Sequence, residues 1–334
     1  MHLDKGHFGG PWKAVVPMRS VKERIVEEQG FLESWLPETP KKAQALIDLI
    51  TGFGVTHMKV QVNVDPVIGL KNYKIVKEVL DENSDKLSYE MIAFPQHGTL
   101  ETQKENLLEE ALKEGIEYLG GLDPANIDND IEESLRVSFD LAKKYERGLD
   151  FHLHTAGTLG IYEIERILEY TKKYGMEDKV SISHGLSLGD IAKAQVDALS
   201  KRFVELGVDI NTTQPVGRKA LPFMDFINNG VSVNVVNDNI NDHWSSFGSG
   251  DIIEKLNIGC QIHGYGSEYA ISRTLKAATG GITPLSDDGN IIWPKVGDRA
   301  DILFVKAESS AHLIARLVKE RVVFFKGKFL QEFK

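Results

Sequence analysis

Short runs of apolar, mostly β-branched residues alternate with longer amphipathic segments through most of the chain. The short runs predict seven β-strands, at residues 58–64, 89–94, 118–122, 150–154, 180–184, 208–212 and 231–237. The longer segments predict helices between them, among them residues 101–114, 131–145, 161–174 and 192–206. Strands that are almost continuously apolar are buried on both faces, which favours a parallel sheet with helical crossovers.

Seven strands, with a place for an eighth at the extreme N-terminus, predict an α/β fold of the (β/α)₈ TIM-barrel class over residues 1–295. A doubly wound parallel sheet is the alternative. It is disfavoured because no Gly-x-Gly-x-x-Gly motif opens a helix after a predicted strand.

The C-terminal segment, residues 296–334, lacks the alternation of strands and long helices that the rest of the chain shows. Residues 300–305, 322–325 and 327–330 predict short antiparallel strands, and Lys326-Gly327-Lys328 is typical of a tight hairpin turn. A lone hairpin is marginal in water, so this small β-subdomain is expected to need partner strands.

Composition and charge exclude several classes of function. The net charge of −10 argues against nucleic-acid partners, which require basic surfaces. No apolar run approaches the length of a membrane span, and no signal peptide is evident, so a cytoplasmic location is expected. The chain has one cysteine, Cys260, which excludes an internal disulfide framework and a cysteine-rich zinc site.

Histidine and aspartate stand at the ends of four predicted strands. His2 lies at the N-terminal strand place, His152 and His154 end one strand, His184 ends the next, and Asp238 follows the last. Catalytic groups of a barrel sit at the carboxyl ends of its strands, and imidazole and carboxylate are ligands that suit Zn²⁺. The pattern therefore predicts a metal site.

Each of these residues also has a purely structural interpretation. A single histidine at a strand end is more often a hydrogen-bonded structural residue. His152 and His154 share one strand face, so the pair could be one ligand and one packed neighbour. Asp238 lies in Asn237-Asp238-Asn239 and could form a turn or a helix cap. Their recurrence at four strand ends favours the metal site.

The order of several short motifs resembles the amidohydrolase superfamily, in the branch that holds cytosine deaminase and N-isopropylammelide isopropylaminohydrolase. These motifs are HLDK at 2–5, AFPQ at 93–96, GGLDPA at 120–125, HLH at 152–154, SH at 183–184, DNINDHW at 238–244, FGSGD at 247–251 and GDRADI at 297–302. The resemblance covers nearly the whole chain. It implies a metal-dependent hydrolase (β/α)₈ barrel, with residues 296–334 as the C-terminal strands of a composite β-sandwich.

The resemblance also implies roles for individual residues. One divalent metal ion, with zinc expected and iron as the alternative, would be held by His2, His152 and Asp238. Asp238 and His184 would be catalytic. A metal lowers the pKa of its water towards ~7, and a nearby carboxylate can accept the proton. The expected reaction is hydrolysis of a C–N bond, to an amino or alkylamino substituent, on a small nitrogen heterocycle. The expected substrate contacts are Lys5, Gln96, His154 and Trp244, and a homo-oligomer is expected as in relatives.

The chain departs from the family pattern at three places, and these departures leave alternative functions open. A further histidine ligand, the first barrel strand and the N-terminal sandwich strands would precede Met1, so an extended chain is expected to bind metal more tightly and to be more stable. Thr155 occupies the place of the glutamate that protonates the ring in cytosine deaminases. Gln61 and Asn63 are neutral where relatives commonly carry His and Asp. The alternatives are a nucleobase- or pterin-type deaminase that uses His154 or His184 instead of that glutamate, and an inactive truncated relative.

Overall fold

The computed structural model describes residues 1–330, and its centre is a parallel sheet in which the strand order follows the chain order. The strands are β1 His57–Asn63, β2 Ser88–Phe94, β3 Tyr118–Leu122, β4 Gly148–His152, β5 Val180–Ser183, β6 Asp209–Thr212 and β7 Val233–Val235. Each strand pairs with the next in parallel. The predicted α/β barrel is confirmed, since sequential parallel strands joined by helices are its defining pattern.

The first two residues lie between the two end strands of this sheet. His2 forms a parallel bridge with Gln61 of β1, and the amino group of Met1 donates to the Lys59 carbonyl at 2.8 Å. The His2 amide donates to the carbonyl of Asp238, just beyond β7, at 3.1 Å. Met1 and His2 therefore connect the carboxyl end of β1 with the segment that follows β7, at the place predicted for an eighth strand.

Helices connect the strands and pack against one another in chain order. They are α1 Val21–Gln29, α2 Leu32–Trp35, α3 Thr39–Gly52, α4 Lys71–Glu82, α5 Thr99–Gln103, α6 Leu107–Lys113, α7 Ile131–Tyr145, α8 Gly157–Tyr174, α9 Lys193–Leu206, α10 Phe223–Asn228, α11 Ile252–His263, α12 Glu268–Arg273 and α13 Ser310–Arg316. Short 3₁₀ turns span Leu36–Glu38, Leu186–Gly189 and Thr274–Ala278, and a π turn spans Pro124–Asp128. Within residues 1–330, no helix is both long enough and apolar enough to cross a membrane.

Helix α7 shows how local sequence sets an element and its packing. The side chain of Asp130 accepts a hydrogen bond from the Glu133 amide at 3.0 Å and so caps the helix N-terminus. Leu135, Phe139 and Ala142 recur at helical spacing and are fully buried. The ring of Phe139 stacks 6.0 Å from that of Phe151 on β4, so this face attaches the helix to the barrel.

The helix predicted at residues 101–114 is wrong as a single element, because two helices replace it. The chain breaks at Asn106, which has a left-handed φ of 57° and directly precedes α6. Asparagine tolerates this conformation better than most residues. The Asn106 amide closes the preceding turn on the Gln103 carbonyl at 2.9 Å.

The strand ends that carry the histidines also differ from the prediction. β4 ends at His152, so His154 lies in the following loop rather than on the strand. β5 ends at Ser183 and β7 at Val235, so His184 and Asp238 lie beyond the last paired residues. Both residues have positive φ, 66° and 62°, and the chain turns sharply at each of them.

The C-terminal strands form a separate antiparallel sheet, in the order β10-β9-β8. These strands are β8 Ile302–Val305, β9 Arg321–Phe325 and β10 Lys328–Phe329. Lys326 and Gly327 have φ of 48° and 80°, which is the geometry of a two-residue hairpin turn. The predicted hairpin is confirmed, and β8 is its partner strand. The last four residues of the predicted C-terminal segment, 331–334, lie outside the described residues.

A buried ion pair attaches this sheet to the barrel. Arg321 Nη1 and Nη2 donate to Asp251 Oδ1 and Oδ2 at 2.7 and 2.9 Å, and both side chains are almost fully buried. Asp251 also caps α11 by accepting from the Ile253 amide at 3.0 Å.

We expect Asp251→Ala to lower the free energy of unfolding by about 3–5 kcal/mol, because it leaves the Arg321 guanidinium buried without its counter-charge. Denaturant unfolding of the two proteins measures the difference. Lys319→Ala is the control, since Lys319 is exposed and lies 3.5 Å from the same carboxylate; its effect should stay below about 1 kcal/mol. Equal, small effects of both changes would contradict the role given to this pair.

Candidate metal and catalytic site

Four of the predicted site residues meet at the carboxyl ends of the strands. His2 lies beside the end of β1, His152 is the last residue of β4, His184 directly follows β5, and Asp238 follows β7. One ligand atom from each of His2, His152 and Asp238 lies within 4.8 Å of the other two. The ring of His184 is 5.0 Å from that of His152. The fold thus gathers side chains that are far apart in the chain.

The Asp238 carboxylate lies between two of these histidines. Its Oδ1 is 3.7 Å from His2 Nε2, and its Oδ2 is 3.8 Å from His184 Nε2. Both Asp238 and His184 adopt left-handed backbone conformations, which cost roughly 1–3 kcal/mol for a residue that is not glycine. The surrounding structure has to hold them there, and strain of this kind is concentrated at functional sites.

A second carboxylate lies beside His152. Asp150 Oδ1 lies 3.4 Å from His152 Nδ1 and accepts a hydrogen bond from Ser183 Oγ at 2.8 Å. Burial alone would raise the pKa of Asp150, but the interactions with His152, Lys59 and Ser183 outweigh it and hold that pKa below its ordinary value. A carboxylate at Nδ1 leaves Nε2 of the imidazole free for another ligand, as in carboxylate–histidine–metal arrangements.

The protonation states suit metal binding. Burial, together with the positive charge of Lys5, holds the pKa of His2 well below its ordinary value. Burial and the neighbouring His154 and His152 do the same to the pKa of His184. Both imidazoles are therefore neutral near pH 7, the form in which histidine offers a lone pair to a metal.

The three potential ligands also fit a divalent cation by their chemistry. Two imidazoles and one carboxylate form a donor set that suits zinc. Nδ1 of His2 is buried without a hydrogen-bond partner among the described residues. No hydrogen bond within residues 1–330 engages the Asp238 carboxylate, so its oxygens remain available.

His154, predicted as a substrate contact, lies on the more open side of this cluster. Its ring is 4.4 Å from that of His184, and its side chain keeps 30 % of its surface exposed. Nδ1 lies 2.9 Å from Asp123 Oδ2, while Asp123 Oδ1 accepts from the amides of His154 and Thr155 at 2.5 and 3.2 Å. Asp123 was not predicted as a site residue. Its place directly after β3 is the sequence feature that could have identified it.

The other predicted substrate contacts, Lys5, Gln96 and Trp244, meet around a residue that the sequence analysis did not single out, Glu28. Lys5 Nζ donates to Gln96 Oε1 at 2.7 Å and lies 3.3 Å from Glu28 Oε1. Trp244 Nε1 donates to Glu28 Oε2. Glu28 lies on α1, and nothing in the charged sequence of that helix distinguishes it from a solvent-facing glutamate.

The ring of Phe94 lies close both to the candidate metal ligands and to the cluster of Lys5, Gln96, Trp244 and Glu28. It lies 4.7 Å from the His152 ring and 5.2 Å from the His2 ring, and Lys5 Nζ is 5.7 Å from its centre. One aromatic side chain therefore connects the cluster around Lys5 and Glu28 with the candidate metal ligands.

Comparison with known proteins identifies the family. A model of the amidohydrolase family matches residues 23–317. The chain is 36% identical over 333 residues to the uncharacterized protein YahJ of Escherichia coli strain K12, which covers 99% of this chain and 72% of that protein. It is 28% identical over 284 residues to N-isopropylammelide isopropyl amidohydrolase of Pseudomonas sp. strain ADP, over 83% of this chain and 69% of that protein.

Solved structures give the same result. The N-isopropylammelide isopropylaminohydrolase of Burkholderia multivorans superimposes with a TM-score of 0.87 and 31% identity, over 99% of this chain and 84% of that one. The 5-methylcytosine deaminase of Klebsiella pneumoniae shares the fold, with a TM-score of 0.81 over 100% of this chain and 85% of that one, at 21% identity. The chain belongs to the amidohydrolase family, a family of metal-dependent hydrolases that act on carbon–nitrogen bonds.

Proposed function

We propose that this hydrolase cleaves the bond between a ring carbon and an amino or alkylamino nitrogen of a small nitrogen heterocycle. The observation that carries the proposal is the convergence of His2, His152 and Asp238 in one cluster with His184 beside them. Relatives named for their action on N-isopropylammelide support the substrate class.

In this proposal His2, His152 and Asp238 hold one divalent cation, with zinc expected from the ligand types. When bound, such an ion lowers the pKa of a water molecule towards ~7. Asp150 fixes the orientation of His152, and burial keeps the His2 imidazole neutral, so both ligands are prepared before the ion arrives.

Asp238 and His184 are proposed to move the protons. Asp238 accepts the proton that water loses as its oxygen attacks the ring carbon. His184 Nε2, 3.8 Å from Asp238 Oδ2, is placed to receive that proton from Asp238 and to pass it to the departing nitrogen. As the C–N bond breaks, its electron pair leaves with that nitrogen, and the products are an oxo-heterocycle and an amine.

Thr155, beside these groups, favours this reaction over cytosine-type deamination. Thr155 stands where cytosine deaminases carry an acidic glutamate, and its Oγ1 already accepts from Asn126 Nδ2 at 2.9 Å. A hydroxyl in that position is a poor general acid. Lys5, Gln96, His154 and Trp244 remain the proposed substrate contacts.

We expect the zinc-loaded protein to release isopropylamine from N-isopropylammelide, and metal-stripped protein to release none. The assay tests a panel of amino- and alkylamino-substituted triazines, pyrimidines and pterins, and separates alkylamine from ammonia by chromatography. Reloading with zinc or with ferrous iron identifies the more effective ion. Absence of turnover on the whole panel with a stoichiometric metal would contradict the proposal, and ammonia release from cytosine alone would favour the deaminase alternative.

A further inference from the structure

Helix α1 covers the end of the barrel at which the candidate site lies. Its Ile25 packs with Phe94 at the end of β2, Leu122 at the end of β3, and Trp244 beyond β7. Glu28, one turn further along, accepts from Asn63 Nδ2 at the end of β1 at 2.6 Å. The helix therefore contacts the ends of three strands that surround the site.

Glu28 is completely buried and holds three polar partners at once. Besides Asn63, it accepts from Trp244 Nε1 and pairs with Lys5 Nζ at 3.3 Å. The Lys5 side chain is itself 1% exposed. A buried ammonium is tolerated only with a counter-charge nearby, and Glu28 is the carboxylate that forms an ion pair with Lys5.

Lys5 in turn fixes the orientation of Gln96. An ammonium can only donate hydrogen bonds, so the 2.7 Å contact assigns the accepting atom as Gln96 Oε1. The amide nitrogen of Gln96 then lies on the opposite side of the carboxamide, and it donates no hydrogen bond within residues 1–330. Because Glu28 holds Lys5 in place, it also determines that the amide nitrogen of Gln96, and not its oxygen, is left to bind a ligand.

We propose that Glu28 is a positioning residue that selects oxo-substituted heterocycles. It holds Lys5 and Trp244 in place and, through Lys5, directs the Gln96 amide nitrogen to donate to a substrate oxygen. An oxo oxygen on the ring can accept a hydrogen bond from the Gln96 amide nitrogen. An amino group at the same position is itself a donor, so it brings two sets of hydrogens together and forms no such bond. This inference rests on the proposed function for its class of ligand, and its test does not depend on turnover.

The test compares two ligands that share one ring. Cyanuric acid carries three oxo groups on a triazine ring, and melamine carries three amino groups in the same positions. Calorimetry on the zinc-loaded protein is expected to show tighter binding of cyanuric acid. Glu28→Gln should reduce that preference by roughly 10- to 100-fold, the loss expected when a hydrogen bond to a charged group is weakened. Glu28→Asp keeps the charge and should restore part of the preference.

Glu23→Gln is the matched control on the same helix. Glu23 is exposed and accepts from the Arg19 amide at 2.6 Å, so this change should leave both metal content and ligand preference unchanged. Glu28 touches none of the proposed metal ligands, so Glu28→Gln should also keep its metal. If that variant does not fold, Glu28→Asp gives the result, because it keeps the buried charge on a shorter side chain; the preference for cyanuric acid should fall while the metal content stays unchanged.

The outcomes separate the two proposals. Equal affinity of the unaltered protein for the two ligands, retention of the preference in Glu28→Gln, or an equal loss in Glu23→Gln would each overturn the role of Glu28. A protein that keeps the preference but hydrolyses no heterocycle would overturn the proposed function and leave this inference standing.

Discussion

Asp238→Asn is expected to reduce kcat by about 10²–10⁴-fold, the range that loss of a general base typically costs. The change keeps the size of the side chain and removes its charge. The amide cannot accept the proton from water, and it is a weaker ligand beside His2 and His152. Steady-state kinetics on the substrate found in the heterocycle panel measures the loss.

The control for this variant is Asp190→Asn. Asp190 follows the same strand as His184, but its side chain is partly exposed and pairs with Lys219, away from the ligand cluster. We expect that change to leave kcat within about twofold, as surface substitutions usually do. Full turnover by Asp238→Asn, with zinc bound, would show that another group accepts the proton.

His152→Ala is expected to abolish stoichiometric metal binding. It removes one of the two imidazoles proposed as ligands, and Asp150 is left without the ring that it orients. Loss of an outer partner alone typically weakens metal affinity by about 10–100-fold, so loss of the ligand itself should exceed that range. Metal content after dialysis against a competing chelator, measured by elemental analysis, gives the result.

His57→Ala is the matched histidine control, because His57 lies at the amino end of β1, at the opposite end of the barrel. Its side chain is 55% exposed and its Nδ1 contacts Ser88 Oγ at 2.9 Å. This variant should keep the full metal content. If His152→Ala also kept it, the assignment of the ion to the cluster of His2, His152 and Asp238 would be wrong.

The sequence by itself determined the main elements and the type of chemistry. Apolar runs with strand spacing predicted the seven parallel strands, because a buried strand needs apolar residues on both faces. The amphipathic segment 131–145 predicted α7 with the bounds that the structure has. Histidine and aspartate near the strand ends indicated a metal site, since barrel strands bring their carboxyl ends to one mouth, and the resemblance to the amidohydrolases implied the hydrolytic reaction.

Local details near those strand ends were decided by backbone conformation instead. His154 was predicted on a strand and lies in a loop, where Asp123 accepts its amide hydrogen. The helix predicted through Asn106 is broken because that residue adopts a left-handed conformation. Periodicity describes which side chains prefer burial, and it carries little information about where a single residue reverses the chain.

Only the tertiary structure decided which distant groups meet. Glu28 has the sequence context of a solvent-facing helix residue, yet it is fully buried because Lys5, Asn63 and Trp244 converge on it. The proximity of His2 to Asp238 likewise depends on the way the N-terminal residues bridge β1 and the segment after β7. Burial of a charge is stable only with partners in place, and those partners come from segments whose proximity is set by barrel packing rather than by any local pattern.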